Sequence, residues 1–80
     1  MIHVLVNLYA SLADHLPEDR QGNSCAIDVE PGTTVEQLLH RLRIPQDAPK
    51  ITFLNGVHST LKEALKEGDR VAVFPPIAGG

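Results

Sequence analysis

Eighty residues make a single domain with a thin core, since a chain of this size buries roughly 60–65% of its unfolded surface. A net charge of −3 argues against non-specific nucleic-acid binding, which needs a basic surface, and a lone cysteine, Cys25, cannot close an internal disulfide. No apolar run approaches the ~20 residues of a membrane span, and the Ile2–Leu8 run is too short, and lacks the preceding basic segment, for a signal peptide. The expected setting is therefore cytoplasmic, with neither nucleic acid nor membrane as a partner.

Ile2, Val4, Val6 and Leu8 alternate with His3, Leu5 and Asn7, the period-two pattern of a strand. Leu8, Leu12 and Leu16 recur at helical spacing and predict a short helical turn, stopped by Pro17. A polar loop containing Gly22 leads to a second strand with Cys25, Ile27 and Val29 on its inner side. The two strands are expected to pair antiparallel, and Pro31-Gly32 ends the second.

The main helix follows. Thr33 with Glu36 predicts a capping box, and Val35, Leu38, Leu39 and Leu42 form one apolar stripe suited to packing across a sheet. The helix must stop before Pro45. Ile51–Leu54 predicts a third strand, and Asn55-Gly56 is a strong hairpin signal leading to a short strand at Val57-His58. Thr60 with Glu63 predicts a second capping box and a helical turn through Leu61, Ala64 and Leu65, closed at Gly68. Arg70–Phe74 is the last strand, with Val71 and Val73 inward. The pattern is that of a two-layer α+β domain, a mixed sheet of four to five strands under one main helix.

The domain is expected to occupy residues 1–74, and residues 75–80 form a C-terminal tail. Pro75 and Pro76 fix φ and favour an extended path. Ile77 and Ala78 follow, and Gly79-Gly80 ends in a carboxylate with no side chain beside it, able to enter a narrow active site. Six extended residues reach roughly 20 Å. The tail is thus expected to be a flexible arm projecting from a rigid body.

Residues Leu61 to Gly80, reading L-x-E-x-L-x-x-G-D-x-V-A-V-F-P-P-I-A-G-G, resemble the C-terminal half of the MoaD/ThiS family of ubiquitin-like sulfur carriers. Gly68-Asp69 and the opening strand with its helical turn also match, so the resemblance covers nearly the whole chain. It implies the β-grasp fold of ubiquitin. It also implies a carrier and not an enzyme: a ubiquitin-activating-like adenylyltransferase, using ATP and Mg, adenylates Gly80, and a sulfur donor such as a cysteine desulfurase or rhodanese converts it to a thiocarboxylate. Gly79 would thread the partner's channel, with Ala78, Ile77, Pro76 and Pro75 behind it. The length and the F-P-P-I-A-G-G ending look like the small subunit of molybdopterin synthase, which implies that enzyme's large subunit, or another sulfur-accepting enzyme, as a second partner. The Leu-Asn-Gly hairpin is similar to the thiamine branch. Thiamine thiazole, tungsten cofactor, cysteine and tRNA thiolation stay open as destinations, as does ubiquitin-like protein modification.

Other residues carry less. Cys25 reads as a small buried hydrophobe. The four histidines show no ligand spacing, so no metal site is expected. No G-x-x-x-x-G-K-[ST] or G-x-G-x-x-G motif is present, so no nucleotide cofactor is expected to be bound by this chain itself. Ala10-Ser11-Leu12 lacks the Asp-Ser-Leu setting of a phosphopantetheine carrier. Strand alternation places Leu5, Ala72 and Phe74 on the sheet face away from the helix, and alternation from Ile51 and Phe53 adds Leu54. An apolar patch at the root of the tail predicts a partner-binding surface.

Overall fold

The computed structural model describes residues 1–48 and 50–76. Strands β1 (Ile2–Leu8), β2 (Ser24–Val29), β3 (Ile51–Leu54), β4 (Val57–His58) and β5 (Arg70–Phe74) form one sheet in the order β2-β1-β5-β3-β4. The central pair, β1 and β5, is parallel; the other three pairings are antiparallel. A 3-10 helix over Ala10–His15 follows β1, and helix α1 (Val35–Arg41) crosses one face. This is the β-grasp arrangement. No described helix is long and apolar enough to cross a membrane.

The core lies between α1 and the sheet. Val4, Val6, Leu8, Ile27, Val29, Val71 and Val73 point into it from the strands, and Val35, Leu38, Leu39 and Leu42 meet them from the helix. Full burial of each such side chain stabilises the fold by roughly 1.5–3 kcal/mol. The 3-10 helix adds Leu12, and Leu16 closes the same end.

Two local expectations shift. The capping box of α1 uses Thr34 and Gln37, one residue later than predicted: the Gln37 amide donates to Thr34 Oγ1 at 3.2 Å, and the Thr34 amide to Gln37 Oε1 at 2.9 Å. Thr33 is occupied elsewhere, its carbonyl accepting from the Leu65 amide at 2.7 Å. The expected helical turn at Leu61–Leu65 is absent. Only the Thr60 amide to Glu63 Oε1 contact, 3.3 Å, survives from its capping box.

That segment instead runs as a strap under the helix. Helix starts leave unpaired amides, and the strap supplies acceptors for two of them. Glu63 accepts from Val35 at 3.0 Å, and Leu61 accepts from Glu36 at 2.9 Å. Leu61 takes a φ of +75° to do so, a conformation that disfavours continuing any helix of its own. At the other end of α1, Arg43 adopts a φ of +65°. The Arg43 and Ile44 amides then bond the His40 and Leu39 carbonyls, a Schellman stop achieved without glycine.

The hairpin at Asn55-Gly56 forms as read, with φ of +52° and +83°, the doubly left-handed turn that asparagine and glycine favour. Asn55 also explains Asp69. Its side-chain amide donates to Asp69 Oδ1 at 2.9 Å, while Asp69 Oδ2 accepts from the Lys66 amide at 2.7 Å. The polar clasp fixes where β5 begins.

Thr52 is 2% exposed, and its hydroxyl has no hydrogen-bond partner. Burying an unpaired polar group costs about 1–3 kcal/mol. Thr52→Val keeps the shape and removes the hydroxyl. It is expected to stabilise the domain by about 1 kcal/mol, read as a higher urea midpoint with an unchanged slope. A lower midpoint would show that the hydroxyl is bonded in solution.

Candidate partner-docking face and tail root

Alternation along β1 and β5 buries Val4, Val6, Val71 and Val73 under the helix. Leu5, Asn7, Arg70, Ala72 and Phe74 therefore stand on the opposite, open face. Paired residues of an antiparallel ladder share a face, so the register decides the rest. Ile51 lies opposite Phe74 and Phe53 opposite Ala72, placing both on the open face; Thr52 and Leu54 lie opposite Val73 and Val71 and face the core.

Leu54 is the correction. Predicted on the open face, it packs against the core cluster. The apolar alternation of Ile51 and Phe53 about a polar Thr52 pointed the wrong way, because here both faces carry apolar residues and the pairing with β5 decides. Leu5, Ala72 and Phe74 stand where they were expected. Leu5 and Ile51 are exposed, at 37% and 40%.

Three rings missed in the sequence, those of Tyr9, Phe53 and His58, extend the patch. Tyr9 stacks on Phe74 with ring centroids 4.4 Å apart and planes within 1° of parallel. Phe53 meets Phe74 edge-on at 5.9 Å, and His58 meets Phe53 edge-on at the same distance. Tyr9 could have been found by extending the parity of His3, Leu5 and Asn7 two residues further. Phe53 could not, without the register. The four rings form a continuous band ending where β5 ends. The Tyr9 amide donates to the Val73 carbonyl at 3.2 Å, which holds the stack against the strand's last turn.

Pro75, half-buried, and Pro76, exposed, follow Phe74 directly. Ile77, Ala78, Gly79 and Gly80 lie outside the described residues. Pro75 and Pro76 therefore continue the chain directly beside the aromatic band.

The remaining chemical groups are placed as follows. Cys25 is buried on the helix side of β2, 3.8 Å from Asp19 Oδ1, and burial pushes its thiol pKa up, with the Asp19 charge adding to the effect. A protonated, buried thiol is a poor nucleophile, in keeping with a packing role. No group of three or more metal-ligating side chains occurs among the described residues. His3, exposed on β1, bonds through Nδ1 to Asp28 on β2.

The hydrogen bond to Asp28, with the charges of Asp28 and Glu67, raises the His3 pKa above 6.5. A raised folded-state pKa stabilises below the unfolded value, and that stability is lost as pH rises through the folded pKa. The parent is therefore expected to lose stability relative to Asp28→Asn as pH rises from about 6 to about 9. Urea midpoints against pH test this, and parallel curves for the two proteins would refute it.

The ThiS family model matches residues 8–80. No curated protein matches the sequence. Among solved structures, small archaeal modifier protein 1 from Haloferax volcanii superposes with a TM-score of 0.77 at 26% identity, covering 96% of this chain and 100% of that one. A chain of the complex of subunits 1 and 2 of molybdopterin-converting factor from Helicobacter pylori gives a TM-score of 0.64 at 19% identity, covering 99% and 100%. Caldiarchaeum subterraneum ubiquitin gives 0.59 at 15%, covering 99% and 98%. The last two speak to the fold alone. With nearly its whole length inside the family model, this chain belongs to the ThiS family and is a ubiquitin-like sulfur carrier of the ThiS/MoaD type.

Proposed function

We propose that the chain carries sulfur as a thiocarboxylate on Gly80 and delivers it in molybdopterin biosynthesis. The observation that carries this reading is the aromatic band of Tyr9, Phe74 and Phe53 at the root of a tail that ends in Gly79-Gly80. In the reaction, a Gly80 carboxylate oxygen attacks the α-phosphate of ATP and pyrophosphate leaves. The donor's persulfide sulfur then displaces AMP at the carbonyl carbon, and a thiol cleaves the S–S bond of the resulting acyl disulfide, which leaves the thiocarboxylate on Gly80 and a disulfide on the donor. In this reading the partner adenylyltransferase supplies the catalytic groups for both steps, with ATP and Mg. The carrier contributes a docking face and an unhindered carboxylate. The molybdopterin destination rests on the F-P-P-I-A-G-G ending. A neighbour of the same fold comes from a complex of subunits 1 and 2 of molybdopterin-converting factor, which agrees with a sulfur-accepting partner for this chain.

A second reading is supported by the likeness to a small archaeal modifier protein. In it, the same adenylated tail forms an isopeptide bond with a lysine.

Incubation with the host's adenylating enzyme, MgATP and a sulfur donor, followed by intact mass measurement, tests the proposal. Exchange of oxygen for sulfur adds about 16 Da, the same nominal shift as oxidation of Met1 or Cys25. Fragmentation must therefore place it on Gly80. Modification elsewhere, or none with an active enzyme, would refute the carrier chemistry. Ladders of conjugates in cell lysate would favour the modifier.

A further inference from the structure

Arg70 opens β5 on the open face, level with Leu5 on β1. It lines a groove with Asn7, Phe53, Ala72 and Phe74. Its backbone is fixed: the Arg70 amide donates to Asn55 Oδ1 at 2.9 Å, and its carbonyl accepts from the Asn55 amide at 2.8 Å. Its guanidinium forms no ion pair among the described residues, where the pairs are His3–Asp28 and Arg20–Asp14. Among the strand residues of the open face it is the one permanent cation, and the one acidic residue in the strands, Asp28, is engaged by His3.

We infer that the adenylating enzyme covers this face and presents a carboxylate to Arg70, and that this ion pair discriminates it from enzymes with a basic residue at that point. The inference rests on the open face being the docking surface. A partner that seals the groove beside Phe53 and Phe74 strips water from the guanidinium. A cation left dry and unpaired opposes binding strongly. The planar five-donor fork matches a carboxylate with two parallel hydrogen bonds, a geometry that lysine cannot reproduce. The same charge repels a partner with lysine or arginine at that point, so the residue both favours one class of enzyme and rejects another. The aromatic band supplies adhesion, and Arg70 supplies discrimination at its lower end.

The experiment measures ATP–pyrophosphate exchange by the host's adenylating enzyme against concentration of the full chain. Parent, Arg70→Lys, Arg70→Ala, Arg70→Glu and Phe74→Asp are compared. Arg70→Glu is expected to raise KM for the carrier by about tenfold or more. Arg70→Lys should raise it by less, with the rate at saturating carrier held in both. The parent's KM should climb with added salt, and that of Arg70→Ala should be less sensitive. Should Arg70→Glu unfold, Arg70→Ala and the salt dependence still decide. If Phe74→Asp raises KM while every Arg70 variant matches the parent, the ion pair is refuted and the docking face stands. If Phe74→Asp also matches the parent, the docking face itself is refuted, and the ion pair with it.

Discussion

Deletion of Gly80 is expected to abolish adenylation and thiocarboxylate formation completely while leaving the urea midpoint of the domain unchanged. The two effects separate because the fold and the proposed chemistry lie in different parts of the chain. Every core residue among the described residues falls between Val4 and Val73, and Gly80 brings no side chain to pack against them. The truncated chain still ends in a carboxylate, but that carboxylate belongs to Gly79 and stops one residue, roughly 3.5 Å, short of its former reach. A near-attack geometry tolerates far less displacement than that. Gly79→Val is the companion variant. It keeps the length, but sets a β-branched side chain in the partner's channel, and should fail in the same way. Exchange of labelled pyrophosphate into ATP reports the first step, and intact mass reports the second. If the truncated chain is thiocarboxylated as fast as the parent, the reacting group is not Gly80.

Phe74→Asp is expected to weaken docking to the adenylating enzyme by about 30-fold or more, at the scale of a central aromatic hot spot. Phe74 stacks on Tyr9, supports Phe53, and is the last strand residue before Pro75. An aspartate there breaks the band at its centre and places a charge where the partner's apolar surface must close. The fold should survive. The side chain is half-buried on the open face, while Val71 and Val73 hold the strand to the core from the other side. Loss of two aromatic contacts costs about 1–3 kcal/mol, which lowers the melting temperature without unfolding the protein. Titration calorimetry and a thermal melt together test the assignment. Parental affinity would refute it, and so would collapse of the domain, which would show Phe74 to be a core residue.

Much of this architecture is legible in the residues. Period-two alternation of Ile2, Val4, Val6 and Leu8 specifies β1, and the Val35, Leu38, Leu39, Leu42 stripe specifies α1 and the face it buries, because each element must hide one side from water. The Asn55-Gly56 turn is legible because few residue pairs tolerate two positive φ values in succession. The helix stop was expected from Pro45, yet the structure ends α1 earlier through Arg43 in a left-handed conformation, which no feature of that residue type announces.

Other features needed the chain brought together. Thr60 and Glu63 carry the local signature of a helix start, but the open amides of Val35 and Glu36 take the strap's carbonyls first. Local preference there is worth about 1 kcal/mol, comparable with the tertiary hydrogen bonds that oppose it. Leu54 was misplaced for a related reason. In a strand apolar on both sides, hydrophobicity sets no parity, and only the pairing of Thr52 with Val73 assigns the faces.

The sequence by itself determined the five strands, the main helix and its buried stripe, three of the four patch residues named for the open face, and the Gly-Gly ending with its family resemblance. These are properties of short stretches, set by local sterics and by the period of each element. Only the tertiary structure decided that β1 lies parallel to β5 at the centre of the sheet, that Tyr9 and Phe53 join Phe74 in one band, and that Arg70 stands beside it with no ion pair among the described residues. Those facts depend on register and strand order. Register and order are set by contacts between residues far apart in the chain, which no local pattern encodes.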